Sequence, residues 1–181
     1  MVRQLQKFAR RFILLAFLCG ICSPVLTVRP CSGSDCVIDV ARSQIGNCEE
    51  GGNNRGLHVG KYLRSVGLGE GYAWCSAFVA WTLNVCDVQH SINAWSPTAV
   101  SRNVIWQRGK GKEPITGDVF GIYYSSKGRV GHVGFVEKYN GKYFTTIEGN
   151  TNEAGSRDGD CVLRKYRHKG QVYRVSRWVT Q

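Results

Sequence analysis

The chain has 181 residues, with 24 lysines and arginines against 13 aspartates and glutamates, a net charge of +11 and eight cysteines. That is room for one domain with a real core and little else. The basic excess favours polyanions through long-range attraction, but no groove-reading motif accompanies it, so nucleic acid is not the expected partner.

Taken from the start, Arg3, Lys7, Arg10 and Arg11 precede the apolar run FILLAFLCGIC, Phe12 to Cys22, and then Ser23-Pro24. A basic start, a short apolar run and a polar break predict an export signal over residues 1–28, with an uncleaved membrane anchor as the alternative. The run is shorter than the roughly 20 residues that cross a bilayer as a helix. The expected location is the periplasm, the cell envelope or the medium. Residues 29–181 are then one domain. It keeps a charge of +7, because residues 1–28 carry four of the basic side chains and no acid. Much of the surplus sits late, in Arg164, Lys165, Arg167, Lys169, Arg174 and Arg177. This predicts a basic C-terminal surface suited to anionic envelope polymers, against a plain solvated face.

Export permits disulfides. Cys31 and Cys36 close the short loop CSGSDC, and Cys48, Cys75, Cys86 and Cys161 complete the set, though pairing does not follow from sequence. The one C-x-x-C is Cys19–Cys22, inside the export segment, so neither a metal nor another cofactor is expected.

The first half of the domain reads as helical. Val37, Val40, Ala41 and Ile45 share one face, with Asp35 as N-cap and Gly46 as stop. The polar loop CEEGGNNRG follows, then a short helix in LHVGKYLRSVG, then a third helix over about Cys75 to Val85. Ser96-Pro97 predicts a fourth helix in PTAVSRNVIWQ. After Gly109 the period turns to alternation. Strands are expected over 118–124, 130–138, 142–148, 161–166 and 172–179, with a hairpin around Asn140-Gly141. N-terminal helices packed on an antiparallel sheet of about five strands make an α+β domain.

Within GYAWCSAFVAWTL, Cys75 stands in the first turn of its helix. There, free backbone N–H groups and the helix dipole favour a thiolate, which is the nucleophilic form. A base is needed. His58, His90 and His168 lie in surface-like or charged contexts. His132 stands in RVGHVGFVE, between glycines in an apolar strand, where an imidazole needs a partner. A two-residue Asn140-Gly141 loop would set position 132 against 149 and turn Glu148 to the other face. A three-residue loop Tyr139-Asn140-Gly141 would pair His132 directly with Glu148 and put Asn150 on the same face. The second register is preferred because it gives His132 a polar partner.

YAWCSAFVAW, VGHVGFVE and IEGNTN, in this order, resemble the cysteine, histidine-dependent amidohydrolase/peptidase family, CHAP, of the papain-like group that includes the NlpC-type wall peptidases. The likeness runs over roughly Asp35 to Gln181. It implies a papain-like α+β fold and catalytic roles for Cys75 as nucleophile, His132 as base, and Glu148 with Asn150 as orienting groups. TGDVFGIY resembles the family's turn into the sheet, which implies a structural Asp118. Asn53, Asn54, Tyr72 and Trp74 are candidates for the substrate cleft. With export and a basic surface, the family implies an exported peptidoglycan hydrolase, an amidase or endopeptidase working through a Cys75 acyl-enzyme. Two other readings fit the same residues. One is a non-catalytic wall-binding or scaffold domain. The other is an antibacterial toxin with the same amidase chemistry and an inhibitor protein as partner.

Overall fold

Val37, Ile38 and Ala41 recur at helical spacing and are buried, and they fix helix α1, Ser34–Ser43. Its N-cap is Gly33 at φ 77, not Asp35, which sits in the first turn where the helix dipole favours an acid. The computed structural model describes residues 33–153 and 159–179. The expected export segment, with Cys19 and Cys22, and also Cys31, lies outside the described residues. Among the described residues, no helix is long and apolar enough to cross a membrane.

Helix α2, Leu57–Arg64, buries Val59, Tyr62 and Leu63. Helix α3, Cys75–Val85, is apolar on nearly every side, with Ala77, Phe78, Val79, Ala80 and Leu83 all at 0% exposure. Such a helix has to be surrounded. It packs on α1, α2 and two central strands.

Seven strands form one antiparallel sheet: β1 (Val104–Gln107), β2 (Lys110–Gly111), β3 (Val119–Tyr124), β4 (Arg129–Tyr139), β5 (Tyr143–Thr151), β6 (Cys161–His168) and β7 (Arg174–Ser176). Their order across the sheet is β2-β1-β7-β3-β4-β5-β6. The fold is α+β as expected, with seven strands in place of about five. The difference lies in VIWQ, expected as helix, and in the two-residue strand Lys110–Gly111 that pairs with it. Ser96–Val100 makes only a 3-10 turn, capped by Ser101, and Asn103, in the left-handed region at φ 53, leads directly into a strand. Val104, Trp106 and Gln107, in a β-branched and aromatic stretch, then pair with β7, with Ile105 as an extra residue between the first two. Alternation along the strands feeds two cores. Val133, Phe135 and Ile147 meet α3, while Phe120, Val136 and Phe144 meet Trp106 and Val175 on the other face.

Cys36 pairs with Cys86, joining α1 to the end of α3, so the short Cys31–Cys36 loop is not a disulfide. Cys48 pairs with Cys161, joining the loop after α1 to β6. With sequence separations of 50 and 113, each bridge restricts the unfolded chain by about 4–5 kcal/mol in the loop-entropy account. Cys75 is the free cysteine of the described residues.

Candidate active site

Cys75 opens α3, directly after the N-cap Trp74, and is buried at 5% exposure. The first N–H groups of a helix have no partner within it, so the thiol sits beside donors. Ser96, at the head of the 3-10 turn, places its hydroxyl 3.5 Å from Cys75 Sγ. Sequence reasoning took Ser96 for a helix cap. Its second role had no signal in the sequence.

His132 lies on β4 beside an irregularity. Ile122 pairs with His132 and Tyr123 with Val130, so Gly131 is an extra residue in the strand. Bulges of this kind re-aim neighbouring side chains. A Cβ on Gly131 would stand 2.3 Å from the Tyr124 ring, so glycine lets Tyr124 close over the strand.

The hairpin register differs from both registers considered. Tyr139 pairs with Phe144 across the four residues Asn140 to Tyr143, and the register shifts at Glu137, leaving Phe135 opposite Ile147. Continued by one residue, this puts Glu148 opposite Gly134, so that it lies diagonal to His132 and not directly across. The cause is the longer turn, whose register alone would set His132 and Glu148 on opposite faces; the extra residue at Glu137 restores the shared face, and its carboxylate is gripped by Arg42 Nε at 2.8 Å and by Arg164 Nε and Nη2 at 2.6 and 2.9 Å. The shared face is kept: His132 Nε2 lies 2.8 Å from Glu148 Oε2. Gly134 makes the diagonal reach possible, since a Cβ there would stand 3.1 Å from Glu148 Cγ and 2.9 Å from the Phe120 ring. Gly134→Ala is therefore expected to cost about 1–3 kcal/mol in thermal unfolding by overpacking. It should also slow alkylation of Cys75 at pH 7, while Gly69→Ala, whose Cβ meets nothing within 4 Å, leaves both unchanged.

Glu148 is fully buried and has every oxygen engaged. Thr146 Oγ1 donates to Oε1 at 2.6 Å, and Arg167 donates Nε to Oε1 at 2.9 Å and Nη2 to Oε2 at 2.6 Å. Arg167 comes from β6. In sequence it stands within a basic run, Arg164 to Arg167, and reads as solvated charge. Its fixed fork instead neutralises a buried carboxylate. Arg177 does the same for the buried Asp118, at 2.8 and 2.9 Å. Three of the six late cations thus serve internal carboxylates, since Arg164 holds Glu137.

Asn150 does not orient His132. It takes φ 55, which turns its side chain toward the start of α3, where Oδ1 accepts the Trp74 N–H at 3.1 Å. Gly149 allows this approach, because a Cβ there would stand 2.7–2.8 Å from Trp74 and Phe78. Asn150 Nδ2 also donates to Asn54 Oδ1 at 3.5 Å and to the Gly159 carbonyl. Trp74 is wholly buried and donates its indole N–H to Glu49, so it does not line the cleft as expected. Asn53 is exposed and does not line it either. Tyr72, 57% exposed, does. Cys75, His132, Ser96 and Asn150 open on this same cleft of about 510 Å³.

Burial pushes the Cys75 thiol up, but the hydrogen bond and charge of His132 outweigh it and bring the thiol down to about 7. Burial lowers the His132 imidazolium, but Cys75 and Glu148 outweigh that and raise it to about 9. With Nε2 held by Glu148, Nδ1 is the ring nitrogen left for the thiol. Glu148 is raised by burial and brought well below the usual carboxylate range by Arg167 and His132. A thiolate beside an imidazolium, backed by a carboxylate, can attack a carbonyl carbon and protonate a leaving group.

The architecture and the site together define an α+β domain with a buried cysteine–histidine pair where a helix start meets an antiparallel sheet. Residues 67–150 match the family model of the CHAP domain, and this segment contains Cys75, His132, Glu148 and Asn150. Two solved structures of Ly7917, one of them "with the hydrolyzing product of MDP", are similar to the chain at 18% identity and a TM-score of 0.43. They cover 80% and 81% of this chain, and the chain spans 63% of the length of each. No curated protein matches the chain.

Proposed function

We propose that the protein is an exported peptidoglycan hydrolase that cleaves amide bonds through a Cys75 acyl-enzyme. The observation that carries the reading is the Cys75–His132–Glu148 relay, with the thiol near neutrality and open to a cleft. The CHAP match over the same residues supports the substrate class. Cys75 Sγ attacks the amide carbon, and the oxyanion takes N–H groups at the start of α3, a contribution of about 10²–10³ in rate per donor in comparable sites. His132 passes its Nδ1 proton to the departing amine, leaving a thioester. It then takes a proton from water, whose oxygen attacks the thioester and returns Cys75. Glu148 keeps the ring oriented and favours its charged form. Asn150 positions the nucleophile by holding the backbone before it. Export is supported by the pattern of residues 1–28 and by two disulfides, which persist in oxidising compartments.

The test is digestion of purified peptidoglycan by wild type and Cys75→Ala, with mass analysis of the fragments. Soluble fragments bearing new amino groups are expected from wild type alone, and those groups identify the bond. Equal digestion by both proteins removes Cys75 from the mechanism.

A further inference from the structure

The cleft wall opposite α3 carries two cations and no acid. Lys127 and Arg129, at the turn from β3 into β4, line it together with Trp95 and Tyr124. No aspartate or glutamate is among the described residues that line it. The neighbouring carboxylates are spent elsewhere: Glu148 on Arg167 and His132, Glu49 on Trp74 and Asn54.

Arg129 is held in a receptive pose. Its guanidinium lies 3.8 Å above the Trp95 ring, and Nη1 donates to the Val130 carbonyl at 3.0 Å. Stacking fixes the plane of the fork, and a fixed fork matches a carboxylate with two parallel hydrogen bonds. Lys127 stands 5.5 Å from the centre of the Tyr124 ring and adds a second charge on the same side. Arg129 precedes His132 by three residues on one strand, at most about 10 Å at strand rise, and the extra residue at Gly131 between them lets both face the cleft.

Resting on the function proposed above, we infer that Arg129, with Lys127, is an anion subsite. It selects peptides carrying a free carboxylate within about three residues of the scissile amide. An unamidated stem peptide has this chemistry, and its carboxamide form lacks it. The subsite acts on binding and does not touch the reacting atoms.

The experiment uses one peptidoglycan preparation in two forms, with free carboxylates and after carbodiimide conversion to carboxamides. Wild type is expected to digest the free-acid form about tenfold faster or more, the size of a charge-assisted contact. Arg129→Gln should lose about that factor on the acid form and treat both forms alike, and Arg129→Lys should recover only part. Arg102→Gln removes the same charge from an exposed site outside the cleft and should keep the discrimination. The alkylation rate of Cys75 in Arg129→Gln, unchanged from wild type, reports that the fold is intact. Equal digestion of both forms by wild type, or discrimination surviving in both Arg129→Gln and Lys127→Gln, overturns the inference. Binding of soluble muropeptides, acid and amidated, to Cys75→Ala separates the two proposals. A preference for the acid that Arg129→Gln abolishes in that background upholds the subsite even where digestion fails.

Discussion

Replacing His132 by alanine should leave Cys75 present but unreactive. In the wild type the thiol ionises near 7, so about half is thiolate at pH 7. Without the imidazole the largest remaining influence on Cys75 is burial, which pushes the thiol to or above its ordinary 9.0. The thiolate fraction at pH 7 then falls to about one per cent, and alkylation by iodoacetamide should slow about fiftyfold. Hydrolysis loses the proton donor as well, a further factor of about 10²–10⁴. The pH profile sharpens the test. Wild-type activity should rise through about 7, as the thiolate forms, and fall through about 9, as the imidazolium that protonates the amine is lost. These two limbs belong to the coupled pair. In His132→Ala the upper limb should vanish and the lower one move past 9. A profile that keeps both limbs would show that another group supplies the proton.

Glu148→Gln is the second large effect, and it acts on stability as much as on rate. The change keeps the volume but strands Arg167, whose fork would face a neutral amide in a site with no exposure at Glu148. Breaking a buried pair from one side costs about 3–5 kcal/mol. Urea unfolding should therefore shift to markedly lower denaturant, and the double variant with Arg167→Met should recover part of the loss. Additive losses would mean that the two groups do not act as a pair. Linkage to pH has a definite sign. Glu148 is held below its unfolded value of 4.5, so the stability it confers is fully present above that pH and is withdrawn as pH falls below it. In Glu148→Gln this acid-limb dependence should flatten. The upper limb of activity should also move below 9, because His132 loses the carboxylate that favours its charged form.

Much of this site could be read from the chain. The start of α3 at Cys75 followed from helical spacing, and the common face of His132 and Glu148 followed from the need of a buried imidazole for a polar partner, which chose between two hairpin registers. The register could not be read, because it depends on a longer turn and on an extra residue at Glu137, which is held by Arg42 and Arg164 from distant elements. Arg167 was hidden for a related reason. A cation in a basic run looks solvated until the fold brings a carboxylate to it. Asn150 shared a parity with Glu148 that a left-handed backbone cancels. The strand VIWQ was masked by the Ser-Pro signal before it, which starts a turn too short to reach it.

Gly131, Gly134 and Gly149 have a consequence for how this molecule can vary. Each is defined by space that another side chain fills: Tyr124, Glu148 with Phe120, and Trp74 with Phe78. A single methyl group at any of them is a larger change than a swap of ring or charge on the rim of the cleft. New specificities are therefore most accessible through Tyr72, Trp95 and Arg129, which stand at loops and strand ends. The three glycines form a mould in which variation is closed off. Directed evolution of the cleft would do well to leave all three fixed and spend its library on the rim.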